Sequence, residues 1–334
     1  QAWRCGHCGA SGTFVLAQMQ ERCPDCGHEL EAGVQHSLQY LEPAGFSVDV
    51  FSETHNDITL QEYVPVEQPW ITATGSWIPL SNPELGRFRA TPQGSVFHHS
   101  SGASRSGYAL CLECGRAAPM GNDEDPSHGM PKVFQRPHAR LRGGKTDGNW
   151  RCGGSDNAFK IKTGIRFGRE YTTDVLEVVL HDSDGQPLVD STVAFTLAVA
   201  LRRAMAESLG VEEAELGCDT KMLRDGLNRK ARVIQVFDVR SAGYSSLVAP
   251  ELPTLLHMAK TNLQCEAGCD GACQMCLLTF DTRYRSDDLN RQAALDFLSD
   301  AWLNLLTLDA QFQLLGVASK PEFQALDEAI SREL

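Results

Sequence analysis

Between Leu38 and Gly102 the chain alternates apolar and polar residues, as in Phe46-Ser-Val-Asp-Val-Phe51, Trp70-Ile-Thr-Ala-Thr and Ser95-Val-Phe-His. Such two-residue periodicity predicts strands with one face buried. Pro43, Pro65, Pro69, Pro79, Pro83 and Pro92 interrupt the run, so several short strands are expected rather than long ones. From Ile161 onward the pattern turns mixed. Thr173-Asp-Val-Leu-Glu-Val-Val-Leu180 predicts a strand ended by the turn Asp182-Ser-Asp-Gly185. Ser191 to Leu209 predicts a helix, with Leu197, Leu201, Met205 and Leu209 on one face and Gly210 as its stop. Arg232 to Asp238 is a second strand, Leu252 to Leu263 a helix, and Gln292 to about Leu306 another.

With 334 residues, two or three domains are expected. The divisions fall at 1–37, 38–160 and 161–334. Hydrophobic content of 42% and charged content of 22% are ordinary for a globular chain. No apolar run approaches the ~20 residues that span a bilayer, so no membrane partner is expected. The sequence begins Gln-Ala-Trp-Arg-Cys, without an initiator Met or a signal-peptide pattern, and reads as a piece of a longer protein.

Twelve cysteines change the picture. Most come in C-x2-C or near pairs in a large chain without an export signal, which favours zinc in a reducing cytoplasm over disulfides. Cys5, Cys8, Cys23 and Cys26 read C-x2-C-x14-C-x2-C, the spacing of a zinc ribbon, with Phe14-Val-Leu16 as a short strand between the pairs. Cys265, Cys269, Cys273 and Cys276 fall within twelve residues, interleaved with Gly268 and Gly271. Four soft ligands that close, with glycines to turn the backbone, predict one tetrahedral site. Cys111, Cys114 and Cys152 lack a fourth partner in sequence. His138 is preferred over His128, which sits in the polar loop from Ala117 to Gly129. Two to three Zn2+ per chain are expected. Cys218 stands alone and reads as a buried, inert thiol.

The net charge of −13 argues against indiscriminate nucleic-acid binding by the whole surface. The charge is segregated, however. Lys132, Arg136, Arg140, Arg142, Lys145, Arg151, Lys160, Lys162, Arg166 and Arg169 are opposed in that stretch only by Asp147 and Asp156. Beside Trp150, Phe159 and Phe167, these cations can grip phosphates while the rings stack bases. Arg136, Arg140, Arg142, Lys145, Arg151, Lys160 and Lys162 are the candidate contacts; a solvated basic face is the plainer reading.

Other motifs carry less. Ala139 to Thr146 fits a relaxed P-loop, but Gln135-Arg-Pro-His precedes it and Asp147-Gly-Asn follows, where a phosphate loop needs a strand and a helix. Adjacent His98 and His99 on an extended segment point to opposite faces, which favours surface residues over a metal pair. Asp281 with Asp287 and Asp288 can bind Mg2+, though such acids more often cap helices or face water.

Taken in order, the motifs resemble a known family. They are the Cys-rich ribbon, Pro-Ala-Gly-Phe-Ser-Val-Asp at 43–49, Gly-Tyr-Ala-Leu-Cys-Leu-Glu-Cys-Gly-Arg-Ala at 107–117, and His-Ala-Arg-Leu-Arg-Gly at 138–143. Thr-Asp-Val-Leu-Glu at 173–177, Glu-Leu-Gly-Cys at 215–218 and the four cysteines running into Cys-Leu-Leu and Leu-Asn-Arg complete the series. The chain is similar to the zinc-binding C-terminal region (the MZB and related domain-of-unknown-function family) of bacterial superfamily-2 DEAD/DEAH-box helicases. Such regions occur in DNA-repair helicases and in anti-phage systems of the Druantia and DISARM type. The resemblance implies a cytoplasmic, DNA-directed role beside a superfamily-2 helicase motor, in the same or a separate chain. The DNA would be single-stranded or tailed. The resemblance also implies zinc-ligand roles for Cys265, Cys269, Cys273 and Cys276. One departure stands out: the family shows an acid followed by Gly-Gly-Ala-Gly, whereas Asp238 is followed by Val-Arg-Ser-Ala-Gly-Tyr.

The expected fold is α+β: an N-terminal zinc ribbon, a β-rich middle region with a second zinc site, and a C-terminal mixed α/β domain clamped by the four-cysteine cluster. The expected function is a non-catalytic helicase module in anti-phage defence or DNA repair that contacts DNA or partner subunits. A structural scaffold without DNA affinity, or a metal-dependent nuclease, are the alternatives. No H-E-x-x-H, G-x-S-x-G or H-x-K pattern supports an independent enzyme.

Overall fold

In the computed structural model, residues 1–14, 21–30, 35–45, 67–121, 129–135, 137–141, 150–156, 158–224 and 228–306 are described. The strand expected at 46–51, Val15 and Leu16, His128, Arg136, Arg142, Lys145 and most of the P-loop-like motif lie outside these residues.

The N-terminal segment forms a three-stranded antiparallel sheet from β1 (Ala2–Cys5), β2 (Ser11–Thr13) and β3 (Gln35–Leu38), with β1 in the middle. The chain then contributes β4 (Tyr40–Leu41), β5 (Trp70–Thr72), β6 (Ile78–Pro79), β7 (Gly86–Ser100), β8 (Tyr108–Cys111), β9 (Ala117–Pro119) and β10 (Ile161–Leu180). Helix α1 (Ser191–Leu209), β11 (Leu216–Arg224), β12 (Lys230–Asp238) and helices α2 (Tyr244–Val248), α3 (Leu252–Leu263), α4 (Arg291–Phe297) and α5 (Asp300–Leu306) follow. The fold is thus mixed α and β, with five α-helices among the described residues and one nine-stranded sheet whose main order is β11-β12-β10-β7-β5. Strands from both sides of residue 160 share that sheet. Its described pairings are antiparallel except β4 with β10.

Strand β10 is the spine. Its first residues pair with β8, placing Ile161 opposite Cys111, and its last third lies between β7 and β12. There its side chains alternate between two cores, as the pleat dictates. Leu176, Val178 and Leu180 face the helices, while Val179 packs with Trp3, Cys5, Cys8 and Cys23 of the ribbon. Helix α1 is capped by Asp190, whose carboxylate accepts from the Thr192 and Val193 amides at 2.8 and 3.0 Å. It ends at Gly210, at φ +67°. Val193 to Leu201 are all buried, because the helix is covered by the sheet on one side and by α3 and α4 on the other, rather than on one stripe.

Two expectations about elements are corrected, and one strand was not expected. The strands β4, β5 and β6 are short as expected, at two or three residues, but β7 runs fifteen residues through Pro92. Between Gly94↔Thr173 and Thr91↔Val175 the register slips by one residue, so Pro92 sits in a bulge where its missing N–H breaks no ladder bond. The helix expected from Gln292 to Leu306 is two helices. Leu298 leaves helical geometry, and the Ser299 hydroxyl accepts from the Trp302 amide at 3.2 Å to start α5. Strand β11 escaped the sequence reading because Asp219 and Lys221 occupy buried positions in it.

Candidate metal centres

Three knuckles are built alike. In each, a C-x2-C pair is followed by glycine: Cys5 to Gly9, Cys23 to Gly27, Cys111 to Gly115. The glycine amide donates to the first cysteine's carbonyl at 2.9, 2.8 and 2.9 Å. The first cysteine's amide donates to the residue after the glycine, at 2.7, 2.8 and 2.9 Å. Closing that turn needs a left-handed residue, and the glycines stand at φ +70°, +72° and +77°. The local sequence thus aims both sulfurs of each pair to one side.

The structure brings the twelve candidate ligands together in three groups, with the ligand atoms of each group within 4.8 Å of one another. In the first, Sγ of Cys5 lies 3.8 Å from Cys26 and Sγ of Cys8 3.5 Å from Cys23. A tetrahedron with Zn–S bonds of ~2.3 Å has edges of about 3.8 Å, whereas a disulfide bond is ~2.05 Å. The donor set and spacing therefore fit zinc. His7 and His28 stack over this group with centroids 3.5 Å apart and planes 14° apart. Stacked imidazoles direct their in-plane lone pairs past one another, so the four sulfurs make the better ligand set.

In the middle group Cys111 and Cys152 are 3.8 Å apart, and Cys114 Sγ is 3.5 Å from His138 Nε2. His138 is buried. Its Nδ1 lies 3.1 Å from the Ser155 hydroxyl, which also accepts from the His138 amide at 3.0 Å. A proton on Nδ1, donated to that hydroxyl, leaves the Nε2 lone pair directed at the sulfurs. Ser155 was missed by the sequence reading; its place in Cys152-Gly-Gly-Ser155 gives no spacing signal.

In the C-terminal group Cys265 and Cys273 are 3.5 Å apart, Cys269 and Cys276 3.6 Å, and Cys273 and Cys276 3.7 Å. The Cys269 amide pulls the Cys265 thiol down to about 6, which favours thiolate at neutral pH. Two arginines brace the loop. Arg203 of α1 donates to the Cys276 carbonyl at 2.6 Å, and buried Arg291 donates to the Cys269 carbonyl at 2.7 Å and to the Leu263 carbonyl at 3.0 Å. Each group supplies four protein ligands, the number that completes a tetrahedral zinc.

Of the candidate nucleic-acid contacts, Arg140, Arg151, Lys160 and Lys162 are exposed. Arg140 is brought to Arg151, whose carbonyl accepts from its Nε at 3.2 Å. Trp150 and Phe159 are exposed, but Phe167 is not a stacking surface: it packs on Tyr108 with ring centroids 4.5 Å apart. Two of the three acids weighed as a Mg2+ site are engaged by arginines. Asp281 is bonded to Arg202, and Asp288 accepts from Arg285 at 3.0 Å. His98 and His99 do point to opposite faces, but His99 is no surface residue: its side chain is 6% exposed and its Nε2 lies 3.0 Å from Glu67. Half-buried Cys218 has its thiol pushed up to about 12 by burial, so it is protonated at neutral pH. The departing loop after Asp238 has a local purpose. The buried Asp238 carboxylate accepts from the amides of Ala242, Tyr244 and Ser245 at 3.2, 2.8 and 3.0 Å.

No family model matches the chain, and no curated protein matches it. Among solved structures, a crystal structure of the DUF1998 helicase MrfA bound to DNA shows a likeness with a TM-score of 0.35 and 10% identity. It covers 71% of this chain and 25% of that helicase, so the chain spans about a quarter of the helicase's length. A likeness of that size is too slight to transfer a fold or an activity. No helix among the described residues is long and apolar enough to cross a membrane.

Proposed function

We propose that this chain is a non-catalytic, zinc-stabilised module that works with a superfamily-2 DNA helicase motor, in the same or a separate chain, and contacts DNA or partner subunits in anti-phage defence or DNA repair. The observation that carries the reading is the set of three closed four-ligand groups, two against β10 and one after α3. Metal held by four protein ligands has no open position for water, so it fixes shape and activates no nucleophile. The association with a helicase is supported by the ordered sequence motifs from Pro43 to Arg291. DNA contact is supported by the exposed cations Arg140, Arg151, Lys160 and Lys162 beside exposed Trp150 and Phe159.

Elemental analysis of the purified chain tests the architecture: three zinc ions per chain are expected, and two would remove the middle centre. Fluorescence anisotropy with single-stranded and tailed duplex DNA at two salt concentrations tests the contact. Affinity that falls steeply with salt supports DNA binding by phosphate neutralisation. Absent or salt-insensitive binding favours the scaffold reading. Phosphate release from ATP by the chain alone would overturn the non-catalytic assignment.

A further inference from the structure

Away from the three metal centres, a continuous cleft opens between the segment from Glu67 to Trp70 and the turn from Phe280 to Asp288. One half, of about 480 Å3, is lined by Arg4, His99, Arg105 and Arg285. The other, of about 350 Å3, is walled by Tyr171, Phe237, Phe280 and His98. Glu67, Gln68, Asp281 and Arg285 border both, so the halves are contiguous. Each falls within the ~300–1,000 Å3 typical of small-ligand pockets.

In the polar half Arg285 already holds Asp219 at 3.2 Å and Asp288 at 3.0 Å, so the unmatched cations there are Arg4 and Arg105. The three carboxylates of that half are already engaged: Glu67 with His99 at 3.0 Å and with the Ser101 hydroxyl at 3.2 Å, Asp281 with Arg202, and Asp288 with Arg285 at 3.0 Å. Arg4 and Arg105 have no ion-pair partner among the described residues. Burial disfavours the Arg4 charge; Asp219 offsets this in part, and Arg232 adds to it. An anion between Arg4, Arg105 and Arg285 would relieve that imbalance, and guanidinium forks match phosphate geometry. The other half asks for a flat apolar partner. His98 stacks on Tyr171 at 5.8 Å, and Phe280 is 76% exposed with Arg283 4.1 Å from its ring centre. An inorganic anion leaves this half empty, and an apolar ligand leaves Arg4 and Arg105 uncompensated.

We propose that the cleft takes one nucleotide unit, its phosphate against Arg4, Arg105 and Arg285 and its base between the aromatic walls. This deepens the DNA-contact reading and rests on it for the source of the unit, an unpaired strand. A free nucleoside monophosphate presents the same chemistry. The site uses none of the exposed cations Arg140, Arg151, Lys160 and Lys162.

The test uses the whole zinc-loaded chain, a short fluorescein-labelled oligothymidylate, thymidine monophosphate and inorganic phosphate. Arg4→Gln with Arg105→Gln, and separately Phe280→Ala, should each weaken oligonucleotide binding by about tenfold or more. In a Lys160→Gln, Lys162→Gln background, Arg4→Gln with Arg105→Gln should still weaken binding by the same factor, since the two sets of cations act independently. If the monophosphate displaces the strand and loses affinity in the same variants, the cleft accepts free nucleotides; if it does not compete, the strand is the ligand. Monophosphate bound through the cleft without strand binding would keep the cleft and end the DNA-contact reading. Strand binding lost only in the Lys160 and Lys162 variant overturns the cleft and leaves DNA contact standing. Competition by inorganic phosphate as strong as by the monophosphate also overturns it, since the base then contributes nothing. Absence of binding by strand and monophosphate alike overturns both. Zinc content and thermal midpoint are read for every variant. If Arg4→Gln fails to fold, Arg105→Gln alone decides, because Arg105 is exposed.

Discussion

Arg89 joins the ribbon to the sheet by holding Asp25 on one side and Glu177 on the other. Its guanidinium donates to both Asp25 oxygens, at 3.0 and 3.1 Å, and to Glu177 at 2.8 Å. Asp25 lies inside the second knuckle, between Cys23 and Cys26, so the ion pair ties a candidate metal centre to the first third of β7. Glu177 is fully buried and also meets Lys221 at 2.6 Å and Gln235 at 2.7 Å. Two cations thus face two carboxylates, with an amide filling the remaining acceptor site. Burial works against the Arg89 charge, but Glu177 and Asp25 outweigh it and raise its pKa.

Breaking this network from one side should be costly. Arg89→Ala leaves Glu177 with Lys221 as its remaining cation and removes a buried charge-assisted hydrogen bond, typically worth ~1.5–3 kcal/mol. Urea unfolding of the zinc-loaded chain should show a loss of that order. Asp25→Asn should cost much less, because Asp25 keeps access to water, with 21% of its side chain exposed. Equal losses in the two variants would show that Glu177 is not the group at stake.

Ser155 sets the orientation of His138 through Nδ1 at 3.1 Å. Removing such a partner typically lowers metal affinity ~10–100-fold while leaving the ligands in place. Ser155→Ala should therefore lose one of three zinc ions early in a chelator titration. The other two should be released as in the unmodified chain.

His99 makes the fold sensitive to mild acid. Burial pushes its pKa below 6.5; Glu67 pulls it back in part, and Arg166 and Arg4 push it down again. The unfolded chain then binds the His99 proton more readily than the folded one, so stability rises with pH. The contribution is complete above the unfolded value near 6.5 and is lost as pH falls through the lower folded value. The thermal midpoint should drop between about pH 7.5 and about pH 5.5, and His99→Gln should flatten that slope. Some slope should persist, because burial lowers the His98 pKa as well.

What the sequence made legible was local. Cysteine spacing groups Cys5 with Cys8 and Cys265 with Cys276, because a knuckle closes within a few residues. Helix α1 begins at Ser191 and ends at Gly210 as its pattern and its stop residue predict. The parts that stayed hidden depend on partners far along the chain. Asp219 and Lys221 make β11 look like a polar loop until Arg285, 66 residues on, and Glu177 are seen to meet them. Pro92 argues for a strand break until Thr173 and Val175 supply the bulge that absorbs it. The cleft was invisible for the same reason, since Arg4, Arg105 and Arg285 share no motif.

Arg291 gives the sharpest test of whether the C-terminal cluster is a clamp. Its amide donates to the Gly271 carbonyl at 2.8 Å, within the cysteine loop. Its guanidinium bonds the carbonyls of Cys269, in the same loop, and of Leu263, at the end of α3. One side chain at the start of α4 thus fastens the metal loop and the preceding helix together, and it is only 8% exposed. Arg291→Met keeps most of the apolar stem but leaves those two carbonyls without their donor, at ~1–3 kcal/mol for each unsatisfied buried group. The expected result is a total loss of about 2–4 kcal/mol in denaturant unfolding, together with faster zinc release from the C-terminal group alone. Cys273→Ser, which removes a sulfur, should go further and unfold the segment from α3 to α4. If Arg291→Met unfolds and releases zinc like the unmodified chain, the four sulfurs hold the loop unaided and the arginine is not part of the clamp.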